Sequence, residues 1–503
     1  MRYQPDFCHF RERTDRTQRL IRDGAYRKTV LFASRSLPQI VLAYGSGSSG
    51  AMNASDDAGD DSATFRVARF VRETQWDDLP PHIRALGIRC LINAVGNSLG
   101  GVQDFAIQRL LSTLRPLSGP PQAVVIGRHE VLDRASASFI NAASANVLDF
   151  DDTHFPTVIH PTAVVFAPLL ALSQQGGVSG RDFLTALVLG IELACRLGLA
   201  VSPGHYRRGA HVTATCGIIA AAAVSGRILR LDLPSLISAM GIAASRAGGL
   251  VENLGSAAKS VSVGAAARDG LLSATFAGSG LGAAPDAIEG PGGFLAVASK
   301  DAHPAPLVDN LGHRWEIENN ALKAYPCGVV LGPVIDAALQ LSSKVDEGRI
   351  ARIVVTGHPL LIERANRADV LLGREAKLSI QHSVACALLT GRMGVEEFSD
   401  AAVSRPDVRR LRQKVTAMAA PGIDLDGARI EVHLTDGGVL MANVEHARGS
   451  PASPLDNAAL NEKFIALARL NRGGLKADRL LQTLWQIESL QDMRAITRLC
   501  SPE

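Results

Sequence analysis

From about Thr64 to Ala283, apolar residues recur at intervals of three and four, as in the series Ile83, Leu86, Cys90, Leu91, Ala94 and Val95. That period puts them on one face of a helix and predicts a helical body. Three stretches within it, Val212 to Leu229, Leu236 to Ala247 and Val261 to Phe276, are rich in Ala, Gly and Ser, so their helices are expected to approach closely around a pocket. Near Glu316 the period changes. Ile350 to Val355 is a β-branched run, and Ile430, Val432 and Leu434 alternate with polar residues up to Asp436-Gly437-Gly438, after which Leu440, Ala442 and Val444 alternate again. Two alternating runs around an Asp-Gly turn predict a hairpin. With helices such as Ala376 to Leu389 between the strands, this part reads as α+β. After Pro454 a helical period returns through Phe464, Leu467, Leu470 and Leu480, predicting C-terminal helices that rejoin the first body. The expected boundaries are an extension over 1–62, a helical domain over 63–315, an α+β domain over 316–455 and returning helices over 456–503.

The first 60 residues lack this order. An Arg-rich opening leads to an apolar stretch from Thr29 to Tyr44, broken by Arg35 and Pro38, then to Gly45-Ser46-Gly47-Ser48-Ser49-Gly50 and the pairs Asp56-Asp57 and Asp60-Asp61. The expectation is a mostly disordered extension rather than a secretory signal. A cytoplasmic location follows, with organelle import through residues 1–60 as the alternative.

Composition narrows the function classes. In 503 residues, 52 Lys and Arg against 49 Asp and Glu leave a net charge of +3, which gives no field for gathering nucleic acid or anionic lipid. Neither a nucleic-acid nor a membrane partner is expected. The longest apolar run seen, around Ala163 to Leu172, falls short of the roughly 18 to 20 residues that cross a bilayer. Seven scattered cysteines without a Cys-x-x-Cys pair argue against a disulfide framework or a structural zinc site.

Four clusters could carry chemistry. Asp149-Phe150-Asp151-Asp152-Thr153-His154 is followed by His160-Pro161; so many carboxylates and imidazoles together imply neutralised, protonated or working groups. They read as metal ligands or as groups orienting substrate and protons, against the plainer reading that Asp151 and Asp152 cap a helix beside an exposed His154. His205 to Gly217 brings Arg207, Arg208 and His211 to the start of an Ala-rich helix, a geometry suited to an anion or to a solvated Arg pair. Lys259 stands alone among small residues in Ser256 to Val261, and Lys323 and Cys327 lie in Leu322 to Gly328. A lysine so placed either snorkels to the surface or is buried against an anion.

In this order and spacing, these blocks resemble those of the MmgE/PrpD family. Glu289-Gly290-Pro291-Gly292-Gly293-Phe294 and Ala376-Lys377-Leu378-Ser379-Ile380-Gln381-His382 extend the likeness, which spans about residues 64 to 490. The resemblance implies a mainly α fold, with a large all-helical domain built from both chain ends and a smaller α+β lid, in a homodimer. It implies enzymes that dehydrate 2-methylcitrate, decarboxylate cis-aconitate or epimerise iminodisuccinate without metal or organic cofactor. By motif position the pocket lining includes Asp149, Thr153, His160, His211, Lys259, Lys323 and His382; the chemistry then assigns catalytic roles to His160, His211, Lys259 and Asp149 and substrate binding to Thr153, Lys323 and His382, with Arg207 as a helper, and no metal is expected.

The chain departs from the family's patterns at Ser262 and Gly332, where many members carry His, and at Gly328 and His382, where decarboxylases carry His and Tyr. It also has Thr162-Ala163 after His160-Pro161, where dehydratases tend to have Ser-Asp. The expected function is therefore a dehydratase-type lyase on a small di- or tricarboxylic acid, with an epimerase of a dicarboxylate such as iminodisuccinate second. Decarboxylation of a cis-aconitate-like acid comes third. From other classes, the alternatives are a metal-dependent isoprenoid-type enzyme and an inactive binding protein.

Overall fold

The computed structural model describes residues 62–471 and 476–502. The expected extension over 1–62, apart from Ser62, lies outside them. The helical body opens with α1 (Ala63–Glu73), α2 (Pro81–Gly101), α3 (Phe105–Leu114) and α4 (Arg134–Val147). It continues with α5 (Pro161–Ser173), α6 (Gly180–Val201), α7 (Val212–Ile228), α8 (Leu233–Ala244) and α9 (Ala257–Gly278). Every residue of α5 is buried, so this helix is apolar all round because neighbours cover all its faces.

The small residues act as the sequence suggested. A Cβ on Gly270 of α9 would lie 2.5 Å from Ala221 of α7, and one on Gly217 would lie 2.9 Å from Val164 of α5. Only glycine permits those crossings. Helix α6 is long and apolar enough to cross a membrane by length and composition, which corrects the reading that no run reached that length; 94% of its apolar window is buried inside the protein, so it is a core helix here.

The second half centres on a four-stranded mixed sheet in which residues 415–419, 350–357, 428–434 and 439–444 lie side by side in that order. Strand β5 (Ile350–Gly357) pairs in parallel with β6 (Val415–Ala419) and antiparallel with β7 (Ala428–Leu434). Strands β7 and β8 (Val439–Val444) form the Asp-Gly hairpin, with Gly437 at φ +87°. Helices α10 (Gly332–Ser342) and α12 (Ile380–Thr390) pack against the sheet, and α11 (Pro359–Ala365) follows β5. Past the sheet, helix α13 (Asn457–Leu470) lies on α2, where Gly96 and Gly100 make room for Phe464 and Leu467.

The expected division into an all-helical domain and a separate lid is corrected. The helical part carries two short sheets, β1 (Ala123–Val124) with β2 (Val131–Leu132) and β3 (Thr153–His154) with β4 (Asn320–Ala321). The described residues also cluster as one compact unit rather than two. The reason is cross-linking: β3 and β4 join segments 168 positions apart in register, Thr153 opposite Ala321, and hydrogen bonds described below tie both halves to one loop.

Candidate active site

The loop between α4 and β3 is the centre of the site. Asp149 adopts φ +56°, a left-handed conformation that a non-glycine residue keeps only when its surroundings hold it there. Lysines from several elements supply the hold. Lys259 of α9 places Nζ 2.9 Å from Asp149 Oδ1, and Lys323 places Nζ 2.8 Å from the same oxygen and 2.9 Å from the Asp149 carbonyl. Lys377 donates to the carbonyls of Val147 and Leu148, and Lys463 of α13 to those of Phe150 and Lys323. The backbone of the loop is thereby pinned from both halves of the chain.

Charge in this loop is sorted by contact with the lysines, since burial acts on all three carboxyls. Burial alone would raise the Asp149 carboxyl, but Lys259 and Lys323 hold it well below its ordinary value. Burial outweighs the lysines at Asp151 and raises its carboxyl. At Asp152 burial pushes the carboxyl up to about 6, against hydrogen bonds from Asn320 and Thr162. For Lys323, burial is overcome by Asp149 and Asp151, which keep its ammonium above its usual range. Neither Asp151 nor Asp152 caps a helix, and His154 is fully buried between Thr157 and Glu316, so the plainer reading of this run does not hold.

The two imidazoles beside the lysines are driven neutral. Burial, then Lys259 and Lys323, lowers His160 far below its ordinary value, and burial with Lys259 brings His211 down to about 3. His160 Nδ1 lies 2.8 Å from the Asp152 carbonyl. A carbonyl only accepts, so Nδ1 donates and, in the neutral ring, Nε2 keeps the lone pair. His211 heads α7, its N–H donating to the Gly249 carbonyl and its Nδ1 buried without a partner.

Asp149, Thr153, His160, His211, Lys259 and Lys323 all line one cavity of about 320 Å³. Two other expected residues do not reach it. Arg207 is exposed on the short helix Gly204–Arg207, which turns its neighbour Tyr206 inward instead. His382 is fully buried in the sheet-side core, its Nε2 on the Glu397 carbonyl and its ring against Phe398; burial lowers it to about 4. Ser379 caps α12 at the His382 N–H, so the start of that helix turns His382 into the core. Cys327 is buried too, and burial raises its thiol, the opposite of an activated nucleophile.

Sequence reasoning missed the remaining wall. Tyr206, Val251, Leu254 and Gly255 line it from the helical half, and Arg364, Arg367 and Leu378 from the other. Gly255 sits at φ +88°. No spacing marks these residues, since they occupy loops, single turns of helix and the end of α11.

Asp149, Asp151 and His160 each offer a ligand atom within 4.8 Å of the others, the one such cluster among the described residues. Its chemistry does not suit a divalent ion. Two ammonium groups already contact Asp149 Oδ1, and a further cation would meet their repulsion at close range. The isoprenoid-type alternative, which needs a second facing acidic cluster, gains nothing from this arrangement.

Comparison with known proteins agrees with the sequence resemblance. The MmgE/PrpD N-terminal domain matches residues 66–307, and the MmgE/PrpD C-terminal domain matches residues 325–486. The chain is 26% identical over 450 residues to a cis-aconitate decarboxylase of Aspergillus terreus, covering 80% of this chain and 89% of that protein. It is 27% identical over 465 residues to cis-aconitate decarboxylase of Mus musculus, covering 87% and 93%, and 28% identical over 382 residues to that of Homo sapiens, covering 72% and 78%.

Proposed function

The chain belongs to the MmgE/PrpD family, and from that premise we propose that it is a cofactor-independent lyase of a small di- or tricarboxylic acid, working by proton transfer at a carbon next to a carboxylate. One observation carries the reading: two buried ammonium groups, Lys259 and Lys323, share a cavity wall with two neutral imidazoles, His160 and His211. Taking a proton from carbon beside a carboxylate builds negative charge where some already exists. Fixed cations in a shielded site stabilise that charge without solvent reorganisation.

In this mechanism the substrate carboxylate lies against Lys259 and Lys323. His160 Nε2 takes the α-proton, and the electron pair moves onto the carboxylate as an enediolate. Expulsion of a β-hydroxyl, protonated by Lys259 as it leaves, gives water and the unsaturated acid. Asp149 holds both lysines in place, and Thr153 steadies His160 through the 3.1 Å contact of its Oγ1 with Nδ1.

A second reading, decarboxylation of a cis-aconitate-like acid, is favoured by the relatives' names. Loss of CO₂ creates the same kind of carbanion and needs the same cations. Against it, Gly328 brings no side chain to the cavity wall where decarboxylases carry His. A panel of hydroxylated, unsaturated and imino polycarboxylates decides between them. Water elimination appears as new double-bond absorbance, decarboxylation as CO₂ release, and epimerisation as deuterium exchange without either. Exchange alone sinks the lyase reading, and no turnover or exchange in Lys259-intact enzyme favours a binding protein.

A further inference from the structure

His160 is delivered to the cavity by a strained turn. The N–H groups of Thr157 and Val158 both donate to the His154 carbonyl, at 3.3 and 2.8 Å, and the His154 N–H donates to the Ile159 carbonyl at 2.9 Å. Within this turn Val158 takes φ +55°. Gly and Asn reach that region at little cost, but a β-branched side chain crowds the backbone there and is a true outlier.

The surroundings hold the turn in this shape. The Thr157 hydroxyl lies 2.8 Å from His154 Nδ1, and His154 Nε2 lies 3.1 Å from Glu316. Thr157 also rests on Gly198 of α6, where a Cβ would come within 3.1 Å of its Oγ1. Held in this way, a partly buried valine lines the same cavity as His160, and at most about 7 Å of chain separates the two residues. Among the described residues, Asp149 and Val158 are the two non-glycine members of this wall with positive φ. The strain at Asp149 is accounted for by its lysines. Val158 has only hydrocarbon to offer, and strain at a cavity wall points to a use for the surface it presents.

We propose that Val158 is a specificity-determining residue, whose isopropyl group forms an apolar seat for the substituent on the substrate carbon beside His160. A small alkyl group gains by leaving water for that seat, whereas a polar substituent would lose its hydration there without a partner. That this carbon is the one deprotonated rests on the lyase reading; the seat itself does not.

Isothermal titration of the full chain with succinate, methylsuccinate and ethylsuccinate tests the seat, since none of these acids carries a leaving hydroxyl. The wild type is expected to bind methylsuccinate about threefold to fourfold more tightly than succinate, as for one buried methylene. Val158→Thr keeps the branching but replaces a methyl by a hydroxyl, so it should abolish that preference while changing succinate less than about twofold. Val158→Ala opens the seat and should raise the ethyl-to-methyl affinity ratio by about threefold or more. Melting temperatures check folding and read the strain: Val158→Gly should melt above Val158→Ala, because only glycine takes this φ freely. The reverse order, no preference for methylsuccinate in the wild type, affinity ratios unchanged in both variants, or no millimolar binding of any of the three acids overturns the proposal. Selective binding of this kind without turnover of any polycarboxylate sinks the lyase reading and leaves the seat standing.

Discussion

Asp149→Asn keeps the shape of the side chain and removes its charge, leaving two buried ammonium groups facing a neutral amide. The Lys323 pair, at 2.8 Å, is worth about 6 kcal/mol of attraction at an effective dielectric near 20. Desolvation takes much of that back, but breaking a buried pair strands the partner and costs about 3–5 kcal/mol. At about 1 °C per kcal/mol for a chain of this size, the melting temperature should fall by roughly 3–5 °C. Asp149→Asn combined with Lys323→Met removes one stranded ammonium, so it should recover part of this loss while staying inactive. The pH dependence has a definite sign. The Asp149 carboxyl is lowered by folding, so its stabilisation is complete above the unfolded carboxylate value of about 4 and is lost only as pH falls through the lower folded value. Lys323 is raised, so its share is complete below the unfolded value of about 10.5 and is lost as pH climbs through the folded one. Scanning calorimetry should therefore find a gap between wild type and Asp149→Asn that stays constant from about pH 5 to pH 9. A variant melting within about 2 °C of wild type, or a gap that closes as pH rises from 5 to 8, would refute this charge balance.

Three further outcomes follow from the same geometry. Because His160 and His211 are held neutral, far below the ordinary value and at about 3 respectively, kcat/KM should show no loss near pH 6.5 from histidine protonation. An acid limb at the ordinary histidine value would mean the imidazoles are not in this environment. Gly101→Ala would put a Cβ 1.9 Å from the Ser144 carbonyl, so urea unfolding should show a loss of about 1–3 kcal/mol from overpacking. Unchanged stability would mean that α2 and α4 separate easily. Gly328 has negative φ and lines the cavity; a Cβ there meets the end of the Leu378 side chain at 3.0 Å, so Gly328→His needs a small shift of Leu378 and is expected to raise CO₂ release from cis-aconitate relative to water elimination. Product ratios measured by NMR check this, and an unchanged ratio refutes a role for that position in the choice of reaction.

What the sequence made legible was periodicity and polar punctuation. The Asp436-Gly437-Gly438 hairpin and the Ala-rich helices could be read because their patterns repeat at two or 3.6 residues. Asp149, His160, His211 and Lys259 stood out because charge among small apolar residues is costly unless used. Arg207 and His382 misled for a related reason: a residue type beside a motif carries no information about the direction of its side chain. The Gly204–Arg207 turn selects Tyr206 for the cavity, and the cap at Ser379 turns His382 into the core. Arg364 was hidden because it ends a seven-residue helix, where amphipathic spacing has almost no length in which to show itself.

The lysines explain why the two halves behave as one unit. Asp149 can keep φ +56° only while the carbonyls on either side of it are held, and the groups that hold them come from residues 323, 377 and 463. Each therefore makes the geometry of the 149–154 run depend on a distant segment. A site assembled this way cannot form before helix α13 has docked on α2. The lysines that position it also set its charge: Lys323 both bonds the Asp149 backbone and keeps its carboxylate ionised. The electrostatics of the site and the packing of α13 on the helical body are consequently the same interaction, and a substitution at Lys323 or Lys463 should disturb stability and the protonation of the site together.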